Sequence, residues 1–249
     1  MRFKSQIAVL SDIHGNSLAL RAVLKDIKER KIQSIFNLGD SLYGPLDPIG
    51  TADILIKHNI PSICGNEDRI LLVHSDEDFE ISPSLSYVLD LIDSKIVKWI
   101  KNLKEIIECD DMILFHGTPE NDSEYFIEKV TENGVEIKSN SELEKQVSGF
   151  NQKIILCGHS HIPRSIHLQD GKLIINPGSV GLPAYIDFYP YPHKMETGTP
   201  YARYCIINKN EKHWYIEDIF IPYDWEKAAL IARENGRPDW ANWLKYGCI

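Results

Sequence analysis

The sequence predicts an α/β protein whose strands deliver polar side chains to one crevice. Two observations predict it. Short apolar runs recur without strict alternation, as in strands buried on both faces. Nearly every run ends at an Asp, Asn or His with a glycine beside it. In an open α/β sheet, ligand sites form at the carboxyl ends of strands, where short loops project into a crevice. Glycine lets the chain turn sharply there and approach a ligand closely.

The elements follow in order. The run Gln6–Leu10 ends at Ser11-Asp12, inside S-D-I-H-G-N, which also holds His14. Residues 17–30 place Leu20, Val23, Leu24 and Ile27 on one face of a helix. Residues 34–38 end at Gly39-Asp40, residues 51–58 read as a short helix, and residues 62–64 end at Gly65-Asn66. The stretch 69–108 exceeds a minimal connection. It opens with an acidic loop at 74–80, a solvated turn, and continues with a helical stripe of Val88, Leu91, Ile92, Ile96, Trp99 and Leu103. It is a candidate lid over the site; its stripe reads first as core packing, which is compatible with a lid. Met112–Phe115 ends at His116-Gly117. An S-x-x-E capping box, Ser141 with Glu144, opens a helix before the strand 154–157. That strand ends at Gly158-His159, with His161 two residues on. Residues 204–208 and Trp214–Ile221 read as a closing hairpin with its turn near 209–211. Asp224 caps a helix to Glu234, and a last short helix holds Trp240, Trp243 and Leu244. The expected organisation is one domain over 1–249, with the lid candidate at 69–108 and C-terminal helices at 224–246.

Composition sets limits. A chain of 249 residues can bury a substantial core, and 43% hydrophobic with 25% charged residues argues against disorder. The net charge of −9 gives no electrostatic footprint for duplex nucleic acid. Five dispersed cysteines, without C-x-x-C spacing, suggest a reducing compartment. Residues 1–4 are basic, but the apolar stretch after them is too short for a signal peptide, and no apolar run is long enough to span a membrane. A cytoplasmic protein is expected, with no membrane partner and with a homo-oligomer permitted.

Seven donors stand at the strand ends: Asp12, His14, Asp40, Asn66, His116, His159 and His161. One such residue after a strand is ordinarily a cap or turn residue. Five strand ends with metal-type donors are hard to reach by accident. In order, D-x-H, G-D, G-N-x-D, H and G-H-x-H resemble the calcineurin-like metallophosphoesterase superfamily, nearest to small phosphoesterases of the YfcE type. The resemblance covers roughly residues 6–181, including N-P-G-S-V-G at 176–181. It implies a four-layer αββα sandwich of two mixed β-sheets flanked by helices. It implies one metal at Asp12, His14, Asp40 and His161 and another at Asp40, Asn66, His116 and His159, with Asp40 bridging. Asp40, Asn66 and His116 then serve catalysis directly. Imidazole with carboxylate suits divalent transition metals, Mn2+ first, with Fe, Zn, Ni or Co as alternatives. A shared carboxylate holds two ions about 3.5–4 Å apart, where a bridging water becomes a nucleophile.

Departures from the family pattern bear on the substrate. The Ser/Thr protein phosphatases read G-N-H-E where this chain has Glu67 in the His position. A carboxyl donates a proton at neutral pH only if burial or a nearby anion raises its pKa. The alternative for Glu67 is a surface or supporting carboxylate. A site without a strong acid favours leaving groups of low pKa, such as phosphoanhydrides, nucleotides and aryl esters. Where relatives read G-x-P-R this chain has Ala184, so Arg69 and Arg164 are the candidate phosphate contacts, each otherwise an ordinary surface Arg. Asn16 reaches either a phosphate oxygen or the N-cap of the next helix. The aromatic, proline-rich stretch 183–204 offers Tyr185 and Tyr189 as base-stacking residues, or else a packed loop or dimer contact. The expected function is a binuclear hydrolase of phosphodiesters or phosphoanhydrides, with a small, nucleotide-like phosphorylated partner. A broad phosphomonoesterase is the enzymatic alternative. A non-catalytic scaffold, like the retromer subunit that resembles this family, is the other, although such scaffolds lose ligand histidines.

Overall fold

The computed structural model describes residues 6–75, 82–109, 111–209 and 214–249. Within them two mixed sheets pack face to face. The first contains β1 (Gln6–Leu10), β2 (Ser34–Asn37), β12 (Ala202–Lys209) and β13 (Trp214–Ile221), in the order β13-β12-β1-β2. β1 and β2 are parallel, and the other two pairs antiparallel. The second contains β3 (Ile106–Cys109), β4 (Met112–Phe115), β7 (Ile154–Leu156), β8 (Arg164–His167) and β9 (Leu173–Asn176), in the order β3-β4-β7-β9-β8. Its central strands β4, β7 and β9 are parallel. Two hairpins, β5 (Glu128–Thr131) with β6 (Gly134–Ile137) and β10 (Ala184–Asp187) with β11 (His193–Glu196), stand apart from the sheets.

The side-chain period of two explains the four layers. Ile7, Val9, Cys205 and Ile207 of the first sheet meet Met112, Leu114, Ile154, Leu156, Leu173 and Ile175 of the second. Their sequence neighbours point outward. Ala8, Leu10, Tyr204 and Ile206 pack under α1 (Ser17–Glu29) and α2 (Pro48–Lys57). Ile113, Phe115, Ile155 and Ile174 pack under Leu143 and Val147 of α6 (Asn140–Val147). Strands buried on both faces therefore read as continuous apolar runs.

Two further helix pairs close the sides. Helices α4 (Pro83–Leu91) and α5 (Ser94–Lys101) bury Leu85, Val88, Ile96 and Ile100 against Leu42, Ala52 and Leu71. Helices α7 (Trp225–Glu234) and α8 (Pro238–Tyr246) bury Ala228, Ala232, Trp240 and Leu244 against Leu46, Leu182 and Ala184. Among the described residues no helix is long and apolar enough to cross a membrane.

Three local expectations are corrected. The apolar stripe after residue 82 is two helices, because Ile92 turns extended and Asp93 caps the second through its contact with the Ile96 N–H at 2.9 Å. The capping box is Ser139 with Glu142, two residues ahead of the expected pair. Residues 62–64 form isolated bridges, Asn37 with Ser62 and Ile63 with Lys104, and no full strand. The expected hairpin is β12–β13, but its turn lies largely outside the described residues, as do residues 1–4 and most of the acidic loop 74–80.

Leu156 is fully buried between the sheets, whereas Leu230 is 55% exposed on α7. Leu156→Ala should lower stability by about 2–5 kcal/mol, and Leu230→Ala by less than about 0.5 kcal/mol. Urea unfolding of both variants measures the difference. Equal midpoints would contradict the sandwich core.

Candidate metal centre

All seven donors gather where β1, β2, β4 and β7 end and α3 (Asn66–Ile70) begins. The backbone is bent to aim them. Asp12, His14, Asp40, His159 and His161 all have φ between 51° and 67°, in the left-handed region. Only two other non-glycine residues share that region among the described residues, Lys31 and Asn59. Such strain persists where surrounding structure over-determines it, and it concentrates at functional sites. Two glycines make the approach possible. A Cβ on Gly65 would lie 2.1 Å from Asp40 Oδ1, and one on Gly158 2.2 Å from Ser11 Oγ.

The donor atoms form two adjacent groups. In the first, His14 Nε2 lies 3.0 Å from His161 Nε2, which lies 3.4 Å from Asp12 Oδ1. In the second, His116 Nε2 lies 3.1 Å from Asp40 Oδ2 and 3.1 Å from Asn66 Oδ1, with His159 completing the group. The groups touch, since His116 Nε2 is 3.9 Å from Asp12 Oδ1. Asp40 also lies in a third overlapping cluster with His14 and Glu67.

The tautomers follow from the second ring nitrogens. His14 Nδ1 meets the Tyr43 carbonyl at 3.0 Å, His116 Nδ1 the Leu38 carbonyl at 2.7 Å and His161 Nδ1 the Leu182 carbonyl at 2.7 Å. A carbonyl only accepts, so each Nδ1 donates and each neutral ring presents an Nε2 lone pair inward. Lone pairs then face lone pairs and carboxylate oxygens. Both carboxylate oxygens of Asp12 are buried with no hydrogen-bond donor. A buried set of acceptors without donors needs cations, and its imidazole and carboxylate chemistry fits divalent transition metals. These residues fit the group that the sequence motif implies.

Protons take that role in the metal-free protein. Burial works to lower the His14 pKa, but the Glu67 contact and the charges of Asp40 and Asp12 outweigh it and raise it to about 9. Burial is likewise outweighed at His116, where Asp40 chiefly raises the pKa to about 10. His159 is held down to about 4, by burial and then by His116. Glu67 has its carboxyl raised by burial, even with His14 Nδ1 at 3.2 Å.

The expected substrate contacts fare differently. A cleft of about 340 Å³ opens over His14, Asp40, Asn66 and Glu67, and Tyr185 lines it. Tyr185 donates to the His159 carbonyl at 3.0 Å, and its ring lies 4.5 Å from that of His161. Asn16 is buried with its polar atoms spent, capping α1 through Ala19 N–H and donating to the Gly181 carbonyl and Tyr223 hydroxyl. Arg69 forms a fork to Asp122 at 2.7 and 2.9 Å, outside this cleft but in a separate hollow that His116 also lines. Arg164 binds the buried Glu128 at 2.6 Å. Tyr189 is 80% exposed at the tip of the β10–β11 hairpin and lines a different hollow. Sequence reasoning passed over Tyr43, Arg237, Trp240 and Trp243, which also line the cleft. Tyr43 is an aromatic residue in the loop after Asp40, and the other three lie at or in the C-terminal helix, so no donor-type signal marked them.

Comparison with known proteins agrees with this geometry. Residues 6–189 match the family model of the calcineurin-like phosphoesterase superfamily domain. The chain is 31% identical over 260 residues to an uncharacterized protein of Methanocaldococcus jannaschii, covering 95% of this chain and 96% of the other. In fold it is similar to a metallophosphoesterase from Sphaerobacter thermophilus, with a TM-score of 0.73, 21% identity and coverage of 95% and 96%. It is also similar to a hypothetical protein from Pyrococcus horikoshii, with a TM-score of 0.75, 18% identity and coverage of 97% and 98%. The chain belongs to the calcineurin-like phosphoesterase superfamily and is a metal-dependent phosphoester hydrolase.

Proposed function

We propose a cytoplasmic, binuclear enzyme that hydrolyses phosphodiester or phosphoanhydride bonds in small, nucleotide-like substrates. The observation that carries this reading is the pair of abutting donor groups, with Asp40 placed against both. Asp12, His14, Asp40 and His161 would hold one ion, and Asp40, Asn66, His116 and His159 the other. Mn2+ leads among the metals for these donors. Two bound ions supply positive charge that activates water and neutralises the oxygens of the transferring phosphoryl group.

The chain's own residues do the rest. The Leu38, Tyr43 and Leu182 carbonyls fix three imidazoles by their Nδ1 protons, so each ring keeps its orientation through turnover. The Glu67 N–H donates to Asp40 Oδ1 at 2.9 Å and holds that carboxylate in place. The Tyr185 hydroxyl anchors the turn that carries His159. Glu67 lines the cleft beside His14 and is the nearest carboxyl available to a leaving group. Within the lid candidate 69–108, helices α4 and α5 pack on Leu42, Ala52 and Leu71, which supports reading the chain as a single domain over 1–249 with these helices as a side wall. No disulfide joins the cysteines among the described residues, which suits a reducing compartment.

Metal loading should carry a proton signature. His14 and His116 are protonated at neutral pH in the metal-free protein, since their raised values lie near 9 and 10. A ligating imidazole must be neutral, so binding two ions at pH 7.5 should release about two protons. Affinity should rise with pH until those values are passed. Calorimetry in buffers of different ionisation enthalpy measures the release. Release near zero would contradict ligation by these two rings.

Site assignment has a separate test. Asp40→Asn should lose metal from both positions and lower turnover of bis-p-nitrophenyl phosphate by about a hundredfold or more. His161→Ala should lose chiefly one ion. Metal content by mass spectrometry, read beside activity, distinguishes the two variants. An Asp40→Asn protein with two ions and normal turnover would refute the bridging role.

A further inference from the structure

One wall of the cleft comes from α8, beyond the 6–189 stretch that matches the family model. Arg237, immediately before this helix, lines the cleft together with Trp240 and Trp243. It is the single Arg or Lys among the lining residues, which also include the carboxylates of Asp40, Glu67 and Asp187. Arg164 is held by Glu128, and Arg69 by Asp122 in the separate hollow beside His116, so neither lines this cleft. Any anion that enters therefore finds one fixed cationic side chain besides the donor groups.

That side chain is held in a set pose. Asp239 accepts from Arg237 Nε at 2.9 Å and from Nη2 at 2.6 Å. Ser84 Oγ accepts from Nη1. The guanidinium lies over Trp240, 5.3 Å from the ring centroid. Guanidinium carries five N–H donors, so one on each terminal nitrogen stays uncommitted. Two such donors in a fixed plane suit a phosphate better than a flexible ammonium would. Asp239 is 41% exposed, so solvent screens its share of the pair.

Its place in the cleft beside the donor groups, and not among them, indicates which phosphate. Trp240 meets the His14 ring edge-on, with centroids 5.7 Å apart. Arg237 lies over this same indole, so one ring adjoins both the guanidinium and a donor imidazole. A phosphoryl group held at the donor groups is cradled by them, and the guanidinium meets what lies next along the chain.

The geometry points to Arg237 as the binding residue for a second, non-scissile phosphate, so that the cleft takes a phosphoanhydride chain such as a nucleoside diphosphate, triphosphate or polyphosphate. The inference rests on the donor groups being the place where the phosphoester bond is cleaved. It narrows the substrate class from phosphodiesters or anhydrides to anhydrides.

The test compares Arg237→Met and Arg237→Lys with the parent, all loaded with Mn2+. The substrates are inorganic tripolyphosphate and bis-p-nitrophenyl phosphate, which has one phosphate. Arg237→Met should raise KM for tripolyphosphate by roughly tenfold or more, as expected for loss of a charged hydrogen-bond pair. Its effect on the aryl diester should be several times smaller, and Arg237→Lys should fall between. Calorimetric binding, with excess Mn2+ in cell and syringe, gives a second readout. Tripolyphosphate should bind the parent more tightly than orthophosphate does, and the ratio should collapse in the Met variant. Equal losses on both substrates would assign Arg237 to the support of α8 and overturn the proposal, as would an unchanged binding ratio. If Arg237→Met is unstable to urea, the Lys variant reads the same two ratios. A parent that binds tripolyphosphate through Arg237 yet cleaves neither substrate would refute the hydrolytic reading alone.

Discussion

The structure is organised around a cost that it imposes on itself, the burial of acceptor atoms that face one another without donors. Asp12 and Asp40 are nearly inaccessible, Asp12 has no donor and Asp40 keeps the Glu67 N–H, and imidazole lone pairs close around both. Isolated, such a cluster would be strongly destabilising, because desolvated charges and unpaired polar atoms find no compensation. It persists because the two sheets fix the strand ends from opposite sides. Five donors hold a left-handed backbone, and the glycines among them let chain pass within van der Waals contact of Asp40 and Ser11. The fold stabilises the cluster, and bound cations complete its electrostatics.

The surrounding layer shows how the charge is managed. Asp68 is fully buried behind Asp40 and accepts from the Ser41 and Gly65 backbone N–H groups at 3.0 and 3.2 Å. Burial first, and then the Asp40 charge, lift its carboxyl to about 7. It orients the loops that carry Asp40 and Asn66 through those two backbone contacts. Backbone carbonyls, which cannot be protonated, orient the imidazoles. The inner shell thus holds the charge, and the next layer fixes its direction at little electrostatic expense.

Much of this was legible in the sequence, for a physical reason. A strand buried on both faces must be apolar throughout, so its end is marked by the first polar residue. In this fold a donor stands within three residues of that end in β1, β2, β4 and β7. The four layers became readable from the same runs, since alternate residues of β1 and β4 serve opposite faces. What could not be read depends on contacts between distant segments. Arg69 and Arg164 stand beside ligand motifs, yet Asp122 and Glu128 claim them. Asn16 could serve a cap or a ligand, and only the positions of Gly181 and Tyr223 show that its amide is spent. Ser139 and Ser141 both offer a plausible cap spacing, and the backbone at Ser139 decides between them.

The aromatic segment after the site shows the same division at finer scale. Its inner end is locked. The Tyr185 hydroxyl meets Tyr125 at 2.7 Å, and Tyr125 meets His193 Nε2 at 2.8 Å, which ties both strands of the β10–β11 hairpin to the β5 side of the molecule. This network leaves the Tyr185 ring against His161, as part of the wall. The outer end, with Phe188 and Tyr189, is exposed and remote from the donors. One stretch of similar composition therefore does two jobs, and the hydrogen-bond chain from His193 separates them. Rigidity at Tyr185 matters for chemistry, because a wall that moved would let the His159 turn relax from its left-handed backbone and would blur the spacing of the two donor groups. The catalytic geometry depends on this hairpin as much as on the strand ends, although the hairpin contributes no donor to it.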